Sequence, residues 1–356
     1  MKILLTIARI IVGVLFIFSG LVKANDPLGL SYKMQEFFDL WGLHGLNDLT
    51  LGFSVVMIAF EIIAGVAVLL GWRFRLFSWL LLLLIIFFTF LTGYAVLSGK
   101  VKECGCFGDC IKLTAMDSFI KDLVLLALIL FLFTFRNRVK PVLSRTANIA
   151  ILSLTTIASF GLQGYVLKYL PVTDCLPYKK GNNILEKMKI PPGAIPDSTV
   201  ITFVYNKNGK EVEFTADKFP ADFSDDYKFV KRYDKLIRKG NAEAAIKDFT
   251  LNDSSEVNVT DAYLSLPGKK LLVFVRDVPS DVEKVKDALP AGIPFVIVTS
   301  KLKDAYDAFS NLFPDQHLTY FTCDGVAVKT ASRAPVTIYL LDGAVIKDKW
   351  SYLTSK

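Results

Sequence analysis

The sequence reads LGFSVVMIAFEIIAGVAVLLGWRFRLFSWLLLLLIIFFTFLTGYAVL from Leu51 to Leu97, with two arginines near its middle. A helix rises about 1.5 Å per residue, so about 20 apolar residues cross a hydrocarbon core about 30 Å thick. The runs Leu51–Trp72 and Leu76–Leu97 both reach that length. They predict two membrane-spanning helices joined by a short loop that carries Arg73 and Arg75.

Three further apolar runs flank this pair, at Ile3–Val22, Phe119–Phe135 and Ala147–Tyr169. No small-x-small cleavage site occurs before Lys23, so the first run is interpreted as an uncleaved span and not as a signal peptide. Hydrophobic residues make up 53% of the 356 residues, which is too many for a soluble chain of this size. The sequence therefore predicts an α-helical membrane bundle of five spans.

Basic residues beside the short loops predict the orientation of these spans. Two loops carry the basic residues: Arg73 and Arg75 in the first, and Arg136, Arg138, Lys140 and Arg145 in the second. Such loops stay in the cytoplasm, so the amino terminus is also cytoplasmic, and everything after Leu170 faces outward. We expect the inner (cytoplasmic) membrane of a bacterium, with a periplasmic carboxy-terminal domain. These loops account for much of the net charge of +7, so we do not expect nucleic-acid binding.

The predicted outer face carries every cysteine of the chain: Cys104, Cys106, Cys110, Cys175 and Cys323. Three of them lie in the stretch ECGCFGDC, residues 103–110, just before the fourth predicted span. Gly105 and Gly108 allow the backbone to turn tightly, so thiols close in sequence can meet in space. The outer face is also the oxidising side of the membrane, where disulfides persist.

Three interpretations of the cysteine cluster remain open at this stage. Cys104, Cys106 and Cys110 are candidate redox thiols, since exchange needs an accessible sulfur with a resolving partner nearby. At the membrane surface they could also exchange electrons with a lipid-soluble quinone. Alternatively, a static disulfide, such as one to Cys175, fixes the loop. The third interpretation is a four-thiolate zinc site, but the spacing fits no common ligand pattern, so no metal is expected.

Two ionisable residues lie inside predicted spans, Arg9 in the first and Glu61 in the second. Such groups are costly in lipid and are therefore functional candidates. Counted from the cytoplasmic ends, the two differ in depth by about one helical turn, so neighbouring antiparallel helices could pair them. A salt bridge that joins the two helices is favoured over a proton relay, because one pair does not make a pathway.

The chain resembles the DoxX and MauE families of redox-associated membrane proteins over roughly residues 1–140. The resemblance rests on Arg9, the run FIFSGLVK at 16–23, Glu61 followed by Gly65, and CGCFGD at 104–109. It implies four spans, with electron transfer linked to thiols or to a quinone, and a thioredoxin-like partner in disulfide formation. The whole arrangement is similar to the long, two-part version found in Bacteroidetes. Cys110 is additional to the family's Cys-Gly-Cys pattern, so the exchanging pair stays open.

The stretch that begins at Lys247 resembles the opening of TlpA-like thioredoxin folds. A strand at 270–275, helices at 280–289 and 301–312, a strand at 293–299 and a hairpin around Asp342-Gly343 predict an α/β domain. The resemblance implies a cis peptide bond at Pro335. The family's Cys-x-x-Cys is absent after Val275, so this domain cannot exchange dithiols alone. Cys323 is interpreted as buried or as bonded to Cys175, and not as a nucleophile.

The predicted domains are a four-helix membrane domain at 1–140, a fifth span at 141–171, a small β-rich insert at 172–245 and a thioredoxin-like domain at 246–356. The leading functional hypothesis is a membrane thiol–disulfide or electron-transfer component that works with lipid, an extracytoplasmic protein thiol and, as the one cofactor class considered, a quinone. The alternative is a non-enzymatic scaffold with structural disulfides, whose thioredoxin-like domain binds a client.

Overall fold

The computed structural model describes residues 2–99, 101, 105, 108–111, 113–195, 198–220, 222–238, 240, 242–313 and 317–354, without the side chains of 235–238. Cys104 and Cys106, two of the three candidate redox thiols, lie outside the described residues.

Six helices form the membrane half of the protein. They are α1 (Lys2–Ala24), α2 (Pro27–Leu40), α3 (Thr50–Leu70), α4 (Phe74–Ser98), α5 (Ala115–Thr134) and α6 (Arg145–Tyr169). Short 3₁₀ turns lie at His44–Leu49 and Arg136–Arg138. In the described part of the chain, four stretches are long and apolar enough to cross a membrane: Lys2–Ala24, His44–Leu70, Phe74–Ser98 and Arg145–Tyr169. The chain is therefore a membrane protein whose outward-facing side chains contact lipid.

Helix α5 differs from the other predicted spans. Its first two turns carry three charged residues, Asp117, Lys121 and Asp122. The rest of the helix is apolar, and Leu125, Ile129 and Leu132 are buried in the core of the bundle. The predicted fourth span is therefore a helix of the bundle, but it is not among the four described stretches long and apolar enough to cross a membrane, so four of the five predicted spans are supported.

Small residues allow α1 and α3 to pack closely. A Cβ atom on Gly65 would lie 2.8 Å from the carbonyl oxygen of Gly13, and one on Gly20 would lie 2.5 Å from Cγ1 of Ile62. Because lipid supplies little hydrophobic force between helices, close backbone contact through small residues is a common way to hold membrane helices together.

The two arginine-bearing loops meet at one end of the bundle. The Val142 amide donates to the Leu70 carbonyl (2.9 Å), and this contact joins the chain after α5 to the end of α3. At the opposite end, the Asn25 side chain exchanges hydrogen bonds with backbone atoms of Thr173, at 2.8 and 2.9 Å. Helix α2 lies at this second end, where the sequence predicted only a loop. Asp26 caps it by accepting from the Gly29 amide (3.1 Å).

A short helix and a three-stranded antiparallel sheet follow the bundle. They are α7 (Ile184–Lys187), β1 (Ser198–Lys207), β2 (Lys210–Thr215) and β3 (Tyr227–Arg238), and the strand order is β2-β1-β3. Lys207 pairs with Lys210 across a two-residue turn. Both turn residues, Asn208 and Gly209, have positive φ, which a hairpin of this kind requires. The sequence Asn206-Lys207-Asn208-Gly209 between two strand-like runs predicts this hairpin, and the structure confirms it.

The carboxy-terminal half is an α/β domain. Its elements are α8 (Thr260–Ser265), β4 (Lys269–Val275), α9 (Glu283–Asp287), β5 (Phe295–Thr299), α10 (Leu302–Ser310), β6 (Tyr320–Thr322), α11 (Gly325–Ala331), β7 (Val336–Asp342) and β8 (Val345–Ser351). The sheet order is β6-β5-β4-β7-β8. Strands β4, β5 and β6 are parallel, and β7 and β8 form the antiparallel hairpin. This confirms the predicted α/β class, with α8, β6 and α11 as additions.

The central strand β4 is buried on both faces. Leu272 and Phe274 point into one core, and Leu271, Val273 and Val275 point into the other. This alternation follows from the two-residue period of a strand. Tyr178 and Ile184, which precede the small sheet in the chain, belong to the first of these cores. The α/β domain therefore includes side chains from both sides of the small sheet.

Pro335 differs from the expectation that the resemblance raised. The described chain contains no cis peptide bond, so the Ala334–Pro335 bond is trans and the expectation of a cis proline is wrong. The Pro335 carbonyl accepts from the amides of Arg276 (2.9 Å) and Asp277 (3.2 Å), so Pro335 lies beside the segment that follows β4.

Candidate functional site at the cysteine-bearing end

The cysteine loop is joined covalently to the chain after α6. Cys110 and Cys175 form a disulfide across 65 residues of sequence. Gly105 and Gly108 both have positive φ, and the Gly108 amide donates to the Gly105 carbonyl (3.0 Å). The glycines therefore provide the tight turn that the sequence predicted. The disulfide also removes two of the four thiolates that a zinc site would need.

A cavity of about 500 Å³ lies between α2, α3 and α4. Its walls are mostly aromatic and aliphatic, with Phe37, Trp41, Phe60 and Phe88 among them. Lys23, Lys33 and Gly105 complete the lining. Rim residues Phe53, Val56 and Phe87 are exposed apolar side chains on membrane helices, so the cavity opens toward lipid. We call it the aromatic cavity.

A second cavity, of about 750 Å³, separates α2 from the α/β domain. Its lining mixes apolar residues with charged ones, among them Lys33, Glu36, Asp39 and Lys329, and it includes Cys175. We call it the interdomain groove. Lys33 lines both spaces, and a Cβ atom on Gly105 would lie 3.0 Å from Cγ of Lys33. Gly105, which lines the aromatic cavity, therefore lies beside a residue that also lines the groove.

Arg333 anchors the α/β domain to this end of the bundle. Its Nε lies 2.8 Å from Oδ2 of Asp26, and its Nη2 lies 2.7 Å from Oδ2 of Asp109. The arginine side chain is only 5% exposed. The charge-assisted bonds join three segments: the start of α2, the cysteine loop and the chain after α11. We call this cluster the Arg333 bridge.

Burial and charge act in opposite directions within the Arg333 bridge. Burial lowers the pKa of Arg333, but Asp26 and Asp109 outweigh it, so this pKa ends above its ordinary value. Burial and the charge of Asp109 raise the pKa of Asp26, and Arg333 lowers it. Burial outweighs Arg333, so this pKa ends above its ordinary value. Removing the guanidinium would leave two carboxylates facing each other in a buried site.

Further contacts dock the same face of the α/β domain onto α2. Arg276 Nη1 donates to the Tyr32 hydroxyl (3.4 Å), and Lys329 Nζ donates to Gln35 Oε1 (3.3 Å). Lys329 and Arg333 also stack over the Tyr32 ring, at 5.3 and 5.4 Å from its centroid. Arg276 follows β4 directly. The edge of the α/β domain at the end of β4 therefore docks onto α2.

The predicted pairing of Arg9 with Glu61 is wrong. Glu61 Oε1 lies 2.5 Å from Nζ of Lys23, and the Ser19 hydroxyl donates to its other oxygen (3.4 Å). Arg9 Nε is buried without a hydrogen-bond partner among the described residues. The reason is depth: Gly20 packs beside Glu61 and Ile62, which puts Arg9 about 16 Å further along the helix axis.

Cys323 is buried in the α/β domain, 6% exposed, and is the one described cysteine outside a disulfide. Burial raises the pKa of its thiol to about 11. Such a thiol stays protonated at neutral pH and is a poor nucleophile. The interpretation of Cys323 as a buried thiol is thus confirmed, and its pairing with Cys175 is excluded by the Cys110–Cys175 bond.

Sequence reasoning missed Lys23, Asp26 and Arg333. A signal existed for Lys23, because it lies one helical turn after Ser19 and the apolar run continues almost to it. Asp26 and Arg333 are separated by 307 residues, and nothing in their local sequence links them. Such long-range pairs become visible only once the two halves are placed together.

Different parts of the chain are similar to different known proteins. Residues 1–135 match the family described as methylamine utilisation protein MauE, and residues 199–239 match a domain of unknown function, DUF8463. "Protein TlpB" of Flavobacterium psychrophilum is 27% identical over 155 residues, which are 43% of this chain and 42% of that protein. The chain thus spans less than half the length of that curated relative. No solved structure matches the chain. Helices α1 to α5 therefore form a membrane domain that resembles the MauE family.

Proposed function

We propose that the protein is a membrane thiol–disulfide oxidoreductase that carries electrons from an extracytoplasmic protein dithiol to a lipid-soluble quinone. Cys104 and Cys106 are the exchanging pair in this proposal. The similarities to MauE and to TlpB support a thiol- or redox-related role in a membrane. The proposal places the cysteine-bearing end and the α/β domain in the periplasm, and the arginine-bearing loops in the cytoplasm.

One observation carries the proposal: Gly105 lines the aromatic cavity beside Lys33, and Lys33 also lines the interdomain groove. Gly105 is bonded to both Cys104 and Cys106. In the proposal, the pair therefore exchanges with both spaces. A protein dithiol reaches it through the groove, and a quinone reaches it through the membrane.

The aromatic cavity fits a quinone ring by its chemistry. Ligand cavities for molecules of this size span about 300–1,000 Å³, are mostly apolar and carry a few polar groups. Phe37, Trp41 and Phe88 supply aromatic faces, and Lys23 and Lys33 supply donors for carbonyl oxygens. A bound quinone would act as the acceptor of two electrons.

The exchange itself follows thiol–disulfide chemistry. A client thiolate attacks one sulfur of the Cys104–Cys106 disulfide, which gives a mixed disulfide and frees the other thiol. The second client thiol then closes the client's disulfide and leaves Cys104 and Cys106 reduced. In this account, Cys110 and Cys175 hold the loop and do not exchange.

The experiment uses the full chain in lipid nanodiscs, a peptide with two cysteines as the dithiol and menadione as the soluble quinone. Cys104→Ser and Cys106→Ser should each abolish catalysed oxidation of the peptide. Cys323→Ser is the matched control and should retain the full rate, because its thiol is buried. Full activity in the first two variants would overturn the proposal and favour a scaffold role with structural disulfides.

A further inference from the structure

The bundle contains two ion pairs that face a small cavity of about 30 Å³. In one pair, Lys23 Nζ lies 2.5 Å from Oε1 of Glu61. In the other, Lys121 Nζ lies 2.7 Å from Oδ1 of Asp122. All four residues and Ser19 line the cavity. A cavity of this size with several polar groups in its wall can hold one or two water molecules.

Lys23 and Phe88 line the aromatic cavity as well as the small one. The Lys23 ammonium lies 5.1 Å from the centroid of the Phe88 ring, and its side chain is only 3% exposed. Lys23 is therefore the polar group that connects the two spaces. On the far side of the small cavity, Asp122 is buried, whereas the side chain of Lys121 is 23% exposed.

We propose that Lys23, Glu61 and Asp122 form a proton relay that serves the aromatic cavity. This inference rests on the proposed function, because it names the residues that supply protons for the quinone reduction proposed there. Salt bridges that only joined helices would need neither a shared cavity nor a lysine that also lines the ligand space.

The proton balance of the reaction gives the relay its task. When Cys104 and Cys106 are oxidised, two S–H bonds break, one S–S bond forms, and two electrons and two protons are released. Those two protons pass to water in the interdomain groove, and the two electrons pass to the quinone, on whose two oxygens two O–H bonds form. Lys23 donates the proton for the nearer oxygen, and Lys33, which also lines the aromatic cavity, donates the proton for the other. A proton from the bundle surface then passes by way of Lys121, Asp122, water in the small cavity and Glu61 to Lys23. Lys33 regains its proton from the interdomain groove.

The test compares the relay with a plain salt bridge by neutralising both members of one pair. The double variant Lys23→Gln/Glu61→Gln leaves no stranded charge and can keep a hydrogen bond between the two side chains. A structural pair would tolerate this change. We expect the menadione-dependent rate of peptide oxidation to fall on the order of 100-fold, which is typical for loss of a proton-transfer group.

Binding of menadione is measured separately, as quenching of Trp41 fluorescence, with Trp41→Phe as the blank. The dissociation constant for menadione should differ less than about threefold between the double variant and the wild type, which is a small change in binding free energy. A solvent deuterium isotope effect on the rate should be larger in the double variant than in the wild type, because proton delivery becomes limiting. Asp122→Asn, which alters the far end of the relay, should also slow the rate. Asp117→Asn, on the exposed first turn of α5, should leave it unchanged.

The outcomes separate the two proposals. If the wild-type protein oxidises the peptide with menadione and the double variant and Asp122→Asn match its rate, the relay is wrong and the proposed function stands. If the wild-type protein shows no menadione-dependent oxidation, the proposed function fails and the relay fails with it.

Discussion

The two halves of the protein bury different kinds of side chain. In the membrane bundle, charged side chains are buried in pairs around small spaces, as with Lys23 and Glu61. The α/β domain has two apolar cores on either side of β4, and its one free described thiol, Cys323, is buried and inert. The α/β domain therefore carries no described thiol suited to exchange, and the cysteines of the proposed function lie in the loop before α5.

The face of the α/β domain at the end of β4 is turned toward the bundle. The segment after Val275 carries Arg276, and the segment before Pro335 carries Arg333. Both arginines contact the bundle at or next to α2. This face therefore holds the domain over the cysteine loop.

The largest effect is expected when the Arg333 bridge is broken. Arg333→Met strands the carboxylates of Asp26 and Asp109, and loss of one partner from a buried ion pair costs about 3–5 kcal/mol. Hydrogen exchange at the amides of α2 and of residues 329–335 should speed up accordingly. Arg232→Met, which breaks an exposed pair with Asp234, is the control and should change nothing.

Combining Arg333→Met with Asp26→Asn and Asp109→Asn should restore much of the protection of these amides from hydrogen exchange, because no charge then remains unpaired. Unchanged exchange in Arg333→Met would mean that the domain is held by its other contacts and that the bridge is incidental.

The second effect concerns the inert thiol of the α/β domain. Burial raises the pKa of Cys323 to about 11, so at pH 9 about 1% of the folded thiol is ionised, against about half of an unfolded one. Because the folded pKa lies above the unfolded one, ionisation lowers the stability of the fold as pH rises from about 9 to 11. Alkylation of Cys323 by iodoacetamide at pH 9 should be at least about 50-fold slower in the native protein than in urea. Equal rates would place this thiol at the surface.

The smallest effect tests the packing of the bundle. Gly65→Ala puts a methyl group 2.8 Å from the carbonyl oxygen of Gly13, and the helices must separate to relieve the overlap. A loss of about 1–3 kcal/mol is expected in thermal or denaturant unfolding. Gly161→Ala on α6 is the matched control, since its new methyl group meets nothing within 4 Å. Equal stability of the two variants would contradict the close contact between α1 and α3.

Much of the fold could be predicted from the sequence, because apolar run length and strand alternation are local signals. The four apolar spans, the hairpin at Asn208-Gly209 and the α/β order all follow from such patterns. Helix α2 was missed because its apolar residues are mixed with polar ones that face the groove. The partner of Glu61 was assigned wrongly, because depth counted from predicted ends carries an error of several residues, and that error moved the partner from Lys23 to Arg9.

The central claim is that exchange takes place at Cys104 and Cys106 while Cys110–Cys175 is structural, and thiol trapping tests it most directly. The native protein is equilibrated in dithiothreitol buffers of stepped potential, alkylated and analysed by mass spectrometry. The account predicts that Cys104 and Cys106 become reduced near the potential of the glutathione pool, whereas Cys110 and Cys175 stay bonded to below about −300 mV. If Cys104 and Cys106 remain oxidised until the Cys110–Cys175 bond also opens, the redox account is contradicted.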